Sequence, residues 1–62
     1  LNINTATLAE LELLPRVGPT LAGRIIEHRE ANGPIRSLSD LMKVKGIGAR
    51  TAEALAPYLR FE

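Results

Sequence analysis

The chain has 62 residues, 45% of them apolar, and a formal net charge of +1. A domain this small buries only about 60% of the surface its unfolded chain exposes, so its stability is modest. Without cysteine it has no disulfide, thiolate metal site or cysteine nucleophile, and its redox compartment cannot be read.

In chain order, the opening "LNIN" reads as extended, with Ile3 packed. Thr7-x-x-Glu10 has the form of a capping box and starts a helix over 8–14, with Leu8, Leu11 and Leu14 inward at helical spacing. After the turn "PRVG", Pro19 suits the first turn of a second helix, where a missing N–H costs little. That helix runs 19–31, buries Leu21, Ala22, Ile25 and Ile26, and stops at Asn32-Gly33 with Pro34 beyond. Residues 32–37 form a connector. Ser37-x-x-Asp40, a shorter-armed relative of the capping box, starts a helix over 38–43 with Leu38, Leu41 and Met42 inward. The turn "GIG" leads into a helix over 49–56 with Ala52, Leu55 and Ala56 inward. Pro57 interrupts it, and Leu59 and Phe61 cover the open end of the core. Helices this short depend on packing. The expected architecture is one all-α domain over 1–62, a bundle of four to five short helices.

Shifting the sequence by thirty positions aligns "TLAELELLPRVGPTLAGRI" (7–25) with "SLSDLMKVKGIGARTAEAL" (37–55). Leu11 meets Leu41, Leu14 meets Val44, Val17 meets Ile47, Gly18 meets Gly48, and Ala22 meets Ala52. The chain is a doubled helix-turn-helix unit, over 7–31 and 37–59. Leu13, opposite Lys43, breaks the repeat; it is either exposed or packed on the N-terminal segment.

Each turn stands at the start of a helix, where unpaired N–H groups and a partial positive charge can hold an anion. The candidate donors are the amides of Gly18, Thr20 and Leu21, and of Gly46, Gly48, Arg50 and Thr51. Residues 13–26 carry Arg16 and Arg24 and no acid; residues 41–52 carry Lys43, Lys45 and Arg50 and no acid. A nearly neutral chain thus gathers cations at its two turns. On composition alone, a phosphate socket and an ordinary tight connection with a solvated basic rim stand level.

"LPRVGPTLAGRII" and "VKGIGARTAEALAPYL" resemble the helix-hairpin-helix motif, two in tandem. Nearly end to end, through "LNINTA", "EHREANGPI" and "LMKVKGIG", the chain is similar to the C-terminal DNA-binding domain of ComEA-type competence proteins. That resemblance implies a compact all-helical unit that binds double-stranded DNA without sequence preference, its hairpin amides on phosphates across the minor groove. It also implies a role in DNA uptake and an extracytoplasmic site. By position, Val44, Lys45, Gly46, Ile47 and Gly48 match the motif in full, with Ile47 the apolar plug. In the first hairpin Arg16 stands where a glycine is expected, before Val17 and Gly18. If that position needs φ > 0, arginine costs about 1 kcal/mol or more there, yet its guanidinium could instead contact phosphate directly.

Some helix-hairpin-helix proteins are glycosylases with a catalytic lysine just after the hairpin; Arg50 holds that position here and cannot act as a Schiff-base nucleophile. The expectation is no enzyme activity, no catalytic residue, and no small-molecule substrate. The lone His28 lacks partners for a metal site and reads as a surface residue; with Arg24 and Arg29 it could back up a phosphate contact. Tyr58 and Phe61 read as core or end cover, since one Tyr, one Phe and no Trp argue against base stacking. No cofactor is implied beyond a monovalent cation, which hairpin carbonyls in this motif family sometimes hold. No apolar run approaches the roughly 20 residues of a membrane span, and the chain, opening on Leu1, reads as a monomeric fragment. Two other readings remain open: a protein-contact module of a secretion or similar complex, and the DNA-targeting domain of a repair protein.

Overall fold

The computed structural model describes residues 1–61. Its elements are α1 (Leu8–Glu12), α2 (Pro19–Asn32), α3 (Leu38–Leu41), α4 (Ala49–Leu55) and a single 3-10 turn, Ala56–Tyr58. No strand is formed among the described residues; one isolated parallel bridge joins Asn2 to Arg60. The all-helical expectation holds.

The capping box of α1 is complete: Thr7 Oγ1 accepts from the Glu10 N–H at 3.2 Å, and Glu10 Oε1 accepts from the Thr7 N–H at 2.9 Å. At α3 the box is offset. Ser37 Oγ accepts from the Asp40 N–H, but the shorter Asp40 carboxylate takes the N–H of Arg36. α2 ends at Gly33, with φ 86.

α1 and α3 are shorter than the expected 8–14 and 38–43 because the chain tightens as it leaves them. Leu14 N–H bonds Leu11 O and Val17 N–H bonds Leu14 O, while Val44 N–H bonds Leu41 O and Ile47 N–H bonds Val44 O. These three-residue steps bring Leu11, Leu14 and Val17, and Leu41, Val44 and Ile47, to the interior in turn. The tightening rotates Met42 outward, contrary to expectation, and Leu8 at the outer end of α1 is also exposed. Leu13 is 85% exposed, which resolves its place.

The core joins these residues to Ile3, Ala6, Ala22, Ile25, Ile35, Ala52 and Leu55. Leu59 and Phe61 pack against it as expected, whereas Tyr58 is exposed. "LNIN" is extended only at its start; the N–H groups of Thr5 and Ala6 turn back to Asn2 O. This segment is held from three sides. Ile3 N–H bonds Arg60 O, Arg29 Nη1 donates to Ile3 O at 2.9 Å, and Asn4 exchanges two hydrogen bonds with the Ile35 backbone at 2.7 and 2.9 Å. Arg29 therefore braces the N-terminal segment.

At ~0.05–0.15 kcal/mol per residue, the domain has only a few kcal/mol of stability. Leu41→Ala removes about 2–5 kcal/mol in urea unfolding followed by circular dichroism, whereas Leu13→Ser stays within about 0.5 kcal/mol. The N–H of Thr7, bonded to Glu10, holds that carboxyl below the ordinary glutamate range. Its contribution is complete above the unfolded-state pKa and is lost as pH falls through the lower folded-state value. Glu10→Gln therefore flattens the acid side of the stability profile, measured as unfolding midpoint against pH.

Candidate nucleic-acid interface

The four helices divide by how they begin. α1 and α3, which lead into the turns, carry side-chain caps and an acid in the first turn. α2 and α4, which leave the turns, begin on Gly18 and Gly48 with no side-chain cap and no acid in the first turn. Among the described residues, the N–H groups of Thr20 and Leu21, and of Ala49, Arg50 and Thr51, find no acceptor. Those of Gly18, Gly46 and Gly48 are also free there. The Ala49 amide was missed in the sequence because its repeat counterpart, Pro19, has none.

Val17 and Ile47 are buried, so each turn is pinned to the core by its middle residue while the residues on either side face out. Gly18 (φ −100, ψ −173) and Gly48 (φ −97, ψ −174) have the same extended backbone, which any residue adopts. A β-carbon at either would meet no atom of the protein within 4 Å. The fold itself does not demand glycine at 18 or 48. Glycine there leaves the approach to the amides open to an external group.

The preceding position is different. Arg16 has φ 66 and Gly46 has φ 97, so the two turns share one left-handed step. The expected strain at Arg16 is real, and the hairpin keeps its form despite it. Arg16, Thr20, Lys43, Lys45 and Arg50 are exposed, and Leu21 and Thr51 are half-buried. Lys43 also makes an ion pair with Asp40 at 3.6 Å, weakened by its exposure.

The first half of α2 packs on the second turn. Arg24 Nη1 donates to Lys45 O at 3.3 Å, and a β-carbon at 46 would stand 2.9 Å from that nitrogen and 3.2 Å from Leu21 Cδ1. Beside this contact an open groove of about 440 Å³ is lined by Arg24, Glu27, His28, Ala31, Lys43, Val44 and Lys45. His28, at the surface of α2, lines this groove half-buried, with Nδ1 3.4 Å from Asn32 Nδ2. Among the described residues no three of His, Asp or Glu group as a metal site would require.

Arg16→Gly relieves the left-handed strain, partly offset by the freer unfolded chain, and raises stability by about 0.5–1 kcal/mol in urea unfolding. Gly46→Ala introduces that strain together with a close contact, and lowers stability by about 1–3 kcal/mol in the same measurement.

Residues 1–60 match the model of the helix-hairpin-helix motif family. Over 54 residues the chain is 48% identical to ComE operon protein 1 of Bacillus subtilis, covering 87% of this chain and 26% of that protein. It is 46% identical over 55 residues to endonuclease/exonuclease/phosphatase family domain-containing protein 1 of Danio rerio, 89% of this chain and 10% of the relative. Kinesin-like protein KIF22 of Xenopus tropicalis is 40% identical over 48 residues, 77% of this chain and 8% of the relative. The chain thus spans about a quarter or less of these curated relatives. With nearly its whole length matched, it belongs to the helix-hairpin-helix family.

Proposed function

We propose that the domain binds duplex DNA without sequence preference, with the amides of both hairpins on backbone phosphates across the minor groove. The observation that carries this reading is the pair of uncapped helix starts at Gly18 and Gly48, where the protein itself has no use for glycine. Val17 and Ile47 anchor the turns, the amides of Gly18, Thr20, Leu21, Gly46, Gly48, Ala49, Arg50 and Thr51 donate to phosphate oxygens, and Arg16, Lys43, Lys45 and Arg50 add charge. The largest dimension of the domain is 23 Å, so both hairpins fall within about seven base pairs at roughly 3.4 Å each. Phosphate contacts alone carry no sequence information.

The similarity to ComE operon protein 1 supports a place in DNA uptake, with this unit as the DNA-receiving domain of an extracytoplasmic protein. Among the described residues no helix is long and apolar enough to cross a membrane. The domain acts as a monomer and as a binding module, not as an enzyme. A second reading, a DNA-targeting domain in a larger host, is favoured by the similarity to the endonuclease/exonuclease/phosphatase family domain-containing protein and involves the same ligand.

With about four to six phosphates neutralised, log K against log[salt] has a slope of about −4 to −5, and affinity is micromolar or weaker. Gly48 has the extended backbone of an N-cap, so Gly48→Asp supplies the missing cap and raises stability by a few tenths of a kcal/mol. The same carboxylate occupies the phosphate position and abolishes duplex binding in fluorescence anisotropy; normal binding by this variant would overturn the hairpin reading. Lys45→Ala weakens binding equally on all sequences and flattens the salt slope by about one.

A further inference from the structure

The repeat raises a question that the phosphate reading leaves open. Positions 16 and 46 share a left-handed turn, yet one carries arginine and the other glycine. The difference lies in what stands over them. Arg24 and Leu21 from α2 press against the second turn, so that a β-carbon at 46 would displace the end of the Arg24 side chain and crowd Leu21 Cδ1. Their repeat counterparts in α4 are Ala54 and Thr51, and nothing corresponding to the long Arg24 side chain exists to reach back to the first turn. The second hairpin is clamped by the first motif's helix, and the first hairpin has no such clamp.

The atom Arg24 holds is informative. Its Nη1 donates to the carbonyl oxygen of Lys45. That oxygen and the Gly46 N–H belong to one trans peptide unit, in which C=O and N–H point in opposite directions. Drawing the Lys45 carbonyl toward α2 therefore turns the Gly46 N–H away from the protein, where it has no acceptor among the described residues. Glycine at 46, with φ 97, tolerates both signs of φ, so the peptide before it can flip within the turn without a steric penalty at that residue.

We infer that Arg24 is a positioning residue for DNA binding. It locks the 45–46 peptide so that the Gly46 amide is presented to a phosphate before the ligand arrives. This rests on the DNA-binding reading and deepens it. Preorganisation of this kind raises affinity by removing the ordering cost at binding. The second hairpin is then the fixed grip, and the first, with Arg16 on a solvent-facing turn, supplies charge.

The test compares the wild-type chain with Arg24→Gln and Arg24→Lys. In the free proteins, ¹³C and ¹⁵N spectra report the Lys45 carbonyl and the Gly46 amide, with the Gly18 amide as internal control. Arg24→Gln should move the Lys45 and Gly46 signals, leaving Gly18 and the helical circular dichroism unchanged. Its duplex affinity should fall about tenfold, the scale of one charged hydrogen bond, with the salt slope unchanged. Arg24→Lys, which keeps the charge but not the planar fork, should behave like Arg24→Gln. A slope flattened by about one, with affinity restored by lysine and the Gly46 signals in place, would make Arg24 a direct phosphate contact and overturn the inference. Unchanged affinity in both variants would also overturn it. Failure of the wild-type chain to bind duplex would remove the DNA-binding reading itself, while the free-protein spectra still decide whether Arg24 locks the peptide.

Discussion

The structure depends on a chain of three-residue steps. Leu11, Leu14 and Val17, and in the second unit Leu41, Val44 and Ile47, each enter the core while i→i+3 hydrogen bonds carry the backbone from one to the next. Burying a side chain of this size stabilises the fold by about 1.5–3 kcal/mol, so two such series are a large share of what a small domain can gather. The last step of each series fixes the hairpin. With Val17 or Ile47 held inside, the residues before and after must face outward, and the following helix must start at the surface with its amides unpaired. An unusually open helix start is thus a consequence of core packing. The fold that hides the plug also displays the donors.

Symmetry between the two units is close in the backbone and broken in the side chains. Gly18 and Gly48 agree within a few degrees, while Arg16 carries strain that Gly46 avoids. Pro19 removes a donor that Ala49 keeps. These departures point one way: the second hairpin has the fuller set of amides and the tighter support, and the first has the exposed guanidinium. A duplicated unit thus presents two turns of different chemistry.

Much of this was legible in the sequence because the interactions that set it are local. The capping box at Thr7 and Glu10 and the stop at Gly33-Pro34 follow from spacing, and Ile47 as the plug under its turn follows from the resemblance to the helix-hairpin-helix motif. The tightening after Glu12 and Leu41 was not legible, since helical periodicity runs on through Leu14 and Lys43 and does not distinguish three-residue from four-residue steps. Met42 was misplaced for that reason, whereas Leu8 is exposed because it stands at the outer end of α1. The hydrogen bonds between Asn4 and Ile35 join residues 31 apart, and those of Arg29 to Ile3 and Arg24 to Lys45 are also long-range. No local pattern announces them. The φ > 0 at Arg16 could be posed only as a condition, because a substituted glycine does not say whether the backbone moved with it.

The most direct test of the account maps the amides of the ¹⁵N-labelled chain by nuclear magnetic resonance as an unlabelled duplex is added. If hairpin amides grip phosphates, shifts will concentrate at 18–21 and 46–51, and will be the same for duplexes of unrelated sequence. Shifts centred instead on the exposed faces of α1 and α3, or spectra unchanged by duplex at low salt, would contradict it.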